Sequence, residues 1–210
     1  MLGLALSQGL GKLGEGSDYL LLRKPAYWVF PLQTLVCAGA LLFFWKTYAF
    51  GSGRMVPVAV GVGLLAFVIW VSPQLLLGQP RRVDGFDPTV FAGDPLLYWG
   101  TVLARFARLV VVVPLVEEIF WRGFLQRYLI SERFETVPLG KYTALSFWGV
   151  VVGFMLAHAT VDYPAAVITG ALFGWLTVCS KSLLAPIAAH ATANLALGLY
   201  IMQTGQWGFW

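Results

Sequence analysis

Residues 113–129 read Val-Pro-Leu-Val-Glu-Glu-Ile-Phe-Trp-Arg-Gly-Phe-Leu-Gln-Arg-Tyr-Leu, and they put four charged groups, Glu117, Glu118, Arg122 and Arg127, into a run that is otherwise built for oil. On a helix Glu118 and Arg122 stand four apart on one face and can pair. Glu117 is turned about 100° away, which leaves one carboxylate free to face something else. A helix end emerging among headgroups would explain an ion pair more simply, but the flanks Val110–Val116 and Ile119–Leu125 are too apolar for a fully wet end. Ionisable residues inside apolar helices are expensive and mark a cavity or a reaction site.

The rest of the chain confirms that the surroundings are apolar. Of 210 residues, 59% are hydrophobic and 11% charged, against roughly a quarter charged in a soluble domain. Charge-free stretches run from Pro25 to Trp45, Met55 to Pro80, Tyr142 to Val161, Tyr163 to Ser180 and Ser182 to Trp210. Each is about the 20 residues that a helix needs to cross hydrocarbon. A sixth, Pro95–Ile130, carries Arg105, Arg108 and the 117–122 cluster and is too long for one crossing without tilt or a break, which Pro114 could supply. The runs are continuous rather than alternating, so a barrel is excluded. The expected fold is all-α, a polytopic membrane bundle of about six to seven transmembrane helices. It forms one domain over residues 1–210, with residues 1–24 as a lead-in and 95–203 as the catalytic core.

The lead-in has no early positive region and no small-residue cleavage pattern followed by a soluble domain, so it is read as a short amphipathic or irregular segment rather than a signal peptide. The segment 81–94, RRVDGFDPTVFAGD, holds three turn signals and is read as an extramembrane loop. Asp162 is placed to cap the helix that begins near Pro164. Cys37 and Cys179 fall within apolar runs, where a small hydrophobic role outranks a disulfide or a metal site. The net charge of +4 is read as headgroup contact, because no basic run is interleaved with exposed aromatics, so nucleic acid is not a partner. Cationic residues divide almost evenly between the two sides, and charge therefore sets no orientation.

Two further polar clusters interrupt the apolar helices. They are Phe154-Met-Leu-Ala-His158 and His190-Ala-Thr-Ala-Asn194, and they hold the chain's two histidines. A membrane histidine is often just an interhelical hydrogen-bond partner. Here each histidine shares a face at i,i+4 with Phe154 or Asn194, and His190 with Asn194 aims two polar groups at one place. Gly153, Ala157, Ala159, Ala188, Ala189, Ala191 and Ala193 permit close helix approach around them. A pocket holding a carboxylate, two imidazoles and an amide can hydrolyse an amide bond. Glu117 would take a proton from a water that His158 also holds, while His190 and Asn194 donate to the developing oxyanion. Arg122 would neutralise Glu118. The chain has no GxSxG elbow and no HExxH. Zinc on Glu117, His158 and His190 is the lesser alternative, opposed by the nearby Arg122, so the expected cofactor is none.

These motifs resemble those of the CPBP family of intramembrane proteases, which includes the CAAX prenyl endopeptidases. The family's EExxxR appears as Glu117-Glu118-Ile-Phe-Trp-Arg122, its FxxxH as Phe154 to His158, and its HxxxN as His190 to Asn194, in the family's order over Val113–Tyr200. The resemblance implies an all-helical membrane fold and a glutamate-type, metal-independent hydrolase. Glu117 and His158 would activate water, and His190 and Asn194 would form the oxyanion site. The short chain, the HATVDYP junction and the tryptophan-rich tail resemble the bacterial CAAX protease-related subgroup that accompanies exosortase systems. That implies a multi-pass protein of the bacterial inner membrane acting on a membrane-associated peptide or protein. A non-catalytic scaffold or immunity-type binder and a proton-coupled transporter subunit are the competing readings, the latter because carboxylate and histidine also build proton relays.

Overall fold

The computed structural model describes residues 2–14 and 16–210, all helix, turn and loop with no strand among them. The lead-in forms a helix, α1 (Leu2–Leu13), and one short turn, α2 (Leu20–Arg23). Then follow α3 (Ala26–Phe43), α4 (Val56–Leu77), α5 (Pro95–Tyr128), α6 (Ala144–Leu156), α7 (Tyr163–Ser180) and α8 (Leu184–Thr204). The chain is a multi-pass helical membrane protein. Helices α3, α4, α5, α7 and α8 are long and apolar enough to cross a bilayer, and α6, at 13 residues, is apolar but shorter. The many exposed leucines, such as Leu42, Leu76 and Leu96, need no partner when lipid is the solvent.

Lipid tails do not drive apolar helices together, so association depends on how closely backbones approach. The tightest interface is α4 against α8, where Ala59, Ala66, Ala185 and Ala189 are fully buried. A methyl added at Gly63 would overlap the Ala189 carbonyl and sit 2.7 Å from the Thr192 side chain. Phe173 and Leu176 of α7 close the same core. Of the small residues flanking the histidines, Ala189 and Ala193 lie in this core and Gly153 lies against the Trp121 ring, whereas Ala159 is exposed.

The 81–94 segment folds back onto the bundle. Asp94 accepts hydrogen bonds from the amides of Leu96 and Leu97 at 2.9 and 3.1 Å and caps α5, whose first residue is Pro95. Phe86 inserts beside Val29 and Phe30 of α3. Asp162 stands at the start of α7 but makes no capping bond. Its carboxylate instead accepts from Arg82 at 2.6 Å, so a cation from the loop outcompetes the helix's own amides.

Helix α5 does not break at Pro114. Its hydrogen bonding widens to the π pattern over Ala107–Val112 and again over Ile119–Leu125. In the first stretch the Val113 amide bonds the Arg108 carbonyl. The next amide in that pattern would belong to Pro114, which has none, so the Leu109 carbonyl is left without a helical donor.

Gly63→Ala should lower stability by about 1–3 kcal/mol through overpacking. Gly61→Ala, where nothing lies within 4 Å, should be neutral or stabilising by up to about 1 kcal/mol. Midpoints of thermal unfolding in detergent separate the two; equal shifts would contradict the α4–α8 interface.

Candidate active site

Glu117, His158, His190 and Asn194 line one cavity of about 310 Å³, together with Phe154. Trp70, Thr169, Arg105 and Arg108 also line it. Four helices therefore contribute polar groups to one space: α5 the glutamate and arginines, α6 Phe154 with His158 just beyond its end, α7 Thr169, and α8 His190 and Asn194. Glu118 and Arg122 are not on its surface and lie in the dry interior, 0% and 1% exposed.

The 100° step between the two glutamates is realised as two environments. Glu118 Oε2 sits 3.0 Å from the Arg122 guanidinium, and its Oε1 accepts from His190 Nδ1 at 2.9 Å. Arg122 also donates to the Gly170 carbonyl at 3.1 Å, with the Phe154 and Phe173 rings flanking it. The expected Glu118–Arg122 pair is thus present, and it reaches further than its own helix. The bond to His190, 72 residues away, was not foreseen, because helical periodicity assigns a face and not the neighbour opposite it.

Both histidines are held through Nδ1. The His158 Nδ1–H donates to the Phe154 carbonyl at 2.7 Å, since a carbonyl can only accept. Its ring packs on Phe154 at 4.6 Å and on Trp70 at 5.3 Å between centroids, and Trp70 is itself tied to Thr169 by a 3.1 Å hydrogen bond. The His190 Nδ1–H donates to Glu118. In each ring Nε2 is the nitrogen left for chemistry.

Asn194 donates to the Leu109 carbonyl at 2.7 Å, the very carbonyl that Pro114 leaves unpaired. It therefore ties α8 to the widened turn of α5, with one amide hydrogen and the side-chain oxygen to spare. His190 and Asn194 share a face as expected, yet they bond different partners rather than each other. Among the described residues no three His, Cys, Asp or Glu side chains are grouped so as to hold a metal ion.

Sequence reading assigned no role to Arg105 and Arg108. The signal was present, since both are membrane-depth cations with no acidic residue four positions away on either side.

A bundle of apolar helices thus surrounds a cavity lined by one carboxylate, two imidazoles and an amide. Residues 99–196 match the family model described as type II CAAX prenyl endopeptidase Rce1-like. That segment runs from α5 into α8 and contains the three motifs. No curated protein and no solved structure matched the chain.

Removing one partner of a buried ion pair costs about 3–5 kcal/mol. Arg122→Met should lose that much, whereas Arg122→Met combined with Glu118→Gln should recover part of it. Thermal unfolding in detergent provides the check; a single variant as stable as the parent would contradict the anchoring role.

Proposed function

We propose that the cavity is the active site of an intramembrane endopeptidase acting on a membrane-associated peptide or protein, in the plasma membrane of a bacterium. The observation that carries this reading is that Glu117, His158, His190 and Asn194, drawn from three separated motifs, face one space. A water between Glu117 and His158 would give its proton to the Glu117 carboxylate, with His158 Nε2 as the second acceptor. The resulting hydroxide adds to the peptide carbonyl carbon. The carbonyl oxygen becomes an oxyanion, received by the spare Asn194 N–H and by His190 Nε2. As the intermediate collapses the C–N bond breaks, and Glu117 returns the proton to the leaving nitrogen.

The hydrogen bonds refine the part played by His190. Because its Nδ1 proton is committed to Glu118, Nε2 can donate only from the imidazolium form. Glu118 supplies the counter-charge such a cation requires, and Arg122 and Gly170 fix that carboxylate in place. Glu118 is therefore a positioning residue that acts through His190. The reaction uses no metal, since carboxylate and imidazoles supply every proton transfer.

Purified protein should cleave members of a library of membrane-derived peptides. Glu117→Gln should lower the rate by about 10²–10⁴-fold, the usual contribution of a general base, with its unfolding midpoint unchanged. Prior incubation with a chelator should leave the rate as it was. Equal cleavage by parent and variant would remove the peptidase reading; loss with chelator and recovery with zinc would replace the water-activating step.

A further inference from the structure

Arg105 is 6% exposed and lies at membrane depth in α5. Among the described residues it makes no hydrogen bond and no ion pair, and its Nε is buried without a partner. The guanidinium sits in the angle of two adjoining rings, its Cζ 4.7 Å from the centroids of both Phe30 and Phe86, which are 6.0 Å from each other. One turn on, Arg108 covers Phe30 at 4.8 Å and makes only long contacts, 3.3 Å to the Phe30 carbonyl and 3.4 Å to Thr34 Oγ1. Both arginines line the cavity that holds Glu117. The wall of this cavity thus carries two cations and one carboxylate.

Ring contacts offset only part of what it costs to take a guanidinium out of water. They also leave a definite geometry. The unused donors lie in the plane of the group, where a carboxylate binds as a two-pronged acceptor. A cavity of about 310 Å³ is at the small end of ligand pockets, suited to the tip of a chain rather than to a lipid with its tails.

We propose that Arg105, assisted by Arg108, is a carboxylate-binding subsite that orients the substrate in the cavity. That the carboxylate belongs to a substrate rests on the peptidase reading; that the cavity binds a carboxylate does not. The carboxylate is either the free C-terminus of a peptide or an acidic side chain, and the subsite recognises the group they share.

The test uses an uncharged N-acetylated hexapeptide made as the free acid, as the C-terminal amide, and as the amide with one glutamate beside the end. Each is titrated calorimetrically into the Glu117→Gln protein in detergent, where nothing is cleaved. The acid should bind about 10–100-fold more tightly than the amide, the worth of charge-assisted hydrogen bonds. Tight binding of the glutamyl amide would make any substrate carboxylate a ligand, and weak binding would restrict the site to the chain end. Arg105→Met in the same background should bring the acid-to-amide ratio towards one without lowering the thermal midpoint, because it removes an unpaired buried charge. A purely structural arginine would instead lose stability and leave the ratio intact. Should Arg105→Met fail to fold, Arg108→Gln should still reduce the ratio severalfold. The proposal is overturned if acid and amide bind alike, if neither binds, or if the ratio survives both substitutions. Retention of phosphatidylglycerol that Arg105→Met abolishes, with acid and amide equal, would reassign the cations to a lipid phosphate. Cleavage of the peptides by the unsubstituted protein is scored separately. An intact ratio without cleavage would retain the subsite and discard the peptidase.

Discussion

One carboxylate, buried to the last atom, links the parts of this molecule that matter. Glu118 belongs to α5, its cation Arg122 lies one turn further on, and its second partner, His190, comes from α8. Arg122 then reaches the backbone of α7 at Gly170. In hydrocarbon there is little hydrophobic drive to hold helices in register, so a charge that cannot be left alone does the specifying. The same bond that fixes the register also chooses which nitrogen His190 presents to the cavity. A slip of α8 by one turn would part His190 from Glu118 and leave the carboxylate with Arg122 of its own helix alone.

Pro114 works through a smaller defect. Its missing N–H turns the preceding stretch of α5 into a π-helical turn and strands one carbonyl, at Leu109. A stranded carbonyl at membrane depth must find a donor, and Asn194 supplies it from α8. A local violation of helix geometry thereby becomes a contact between two helices, placed beside the cavity. The amide that repairs the defect retains one hydrogen directed by neither helix, which makes it available to an oxyanion.

What was legible in the chain follows from this division. Continuous apolar runs state that helices form, because length and composition alone determine that in a bilayer. The i,i+4 rule reached the Glu118–Arg122 pair and put Phe154 against His158, since both spacings are local in the chain, although α6 ends before His158. Contacts between helices were out of reach. Periodicity gave the faces of His190 and Asn194 but not their partners, Glu118 and Leu109, which lie 72 and 85 residues away. Asp162 illustrates the same limit from the other side. It has the residue type and position of a cap, yet Arg82, 80 residues distant, takes its carboxylate, because a charged partner outweighs a backbone amide.

The adjacent glutamates show how little sequence separates a buried anchoring group from one on a cavity wall. Glu117 and Glu118 have the same chemistry and neighbouring backbone, and they differ by one step of rotation about α5. That step carries one into a closed set of donors, where both oxygens lie against cations or an imidazole and water has no access. It carries the other to the wall of the cavity that His158 and His190 also line. The difference between the two environments is therefore set by surroundings rather than by residue type.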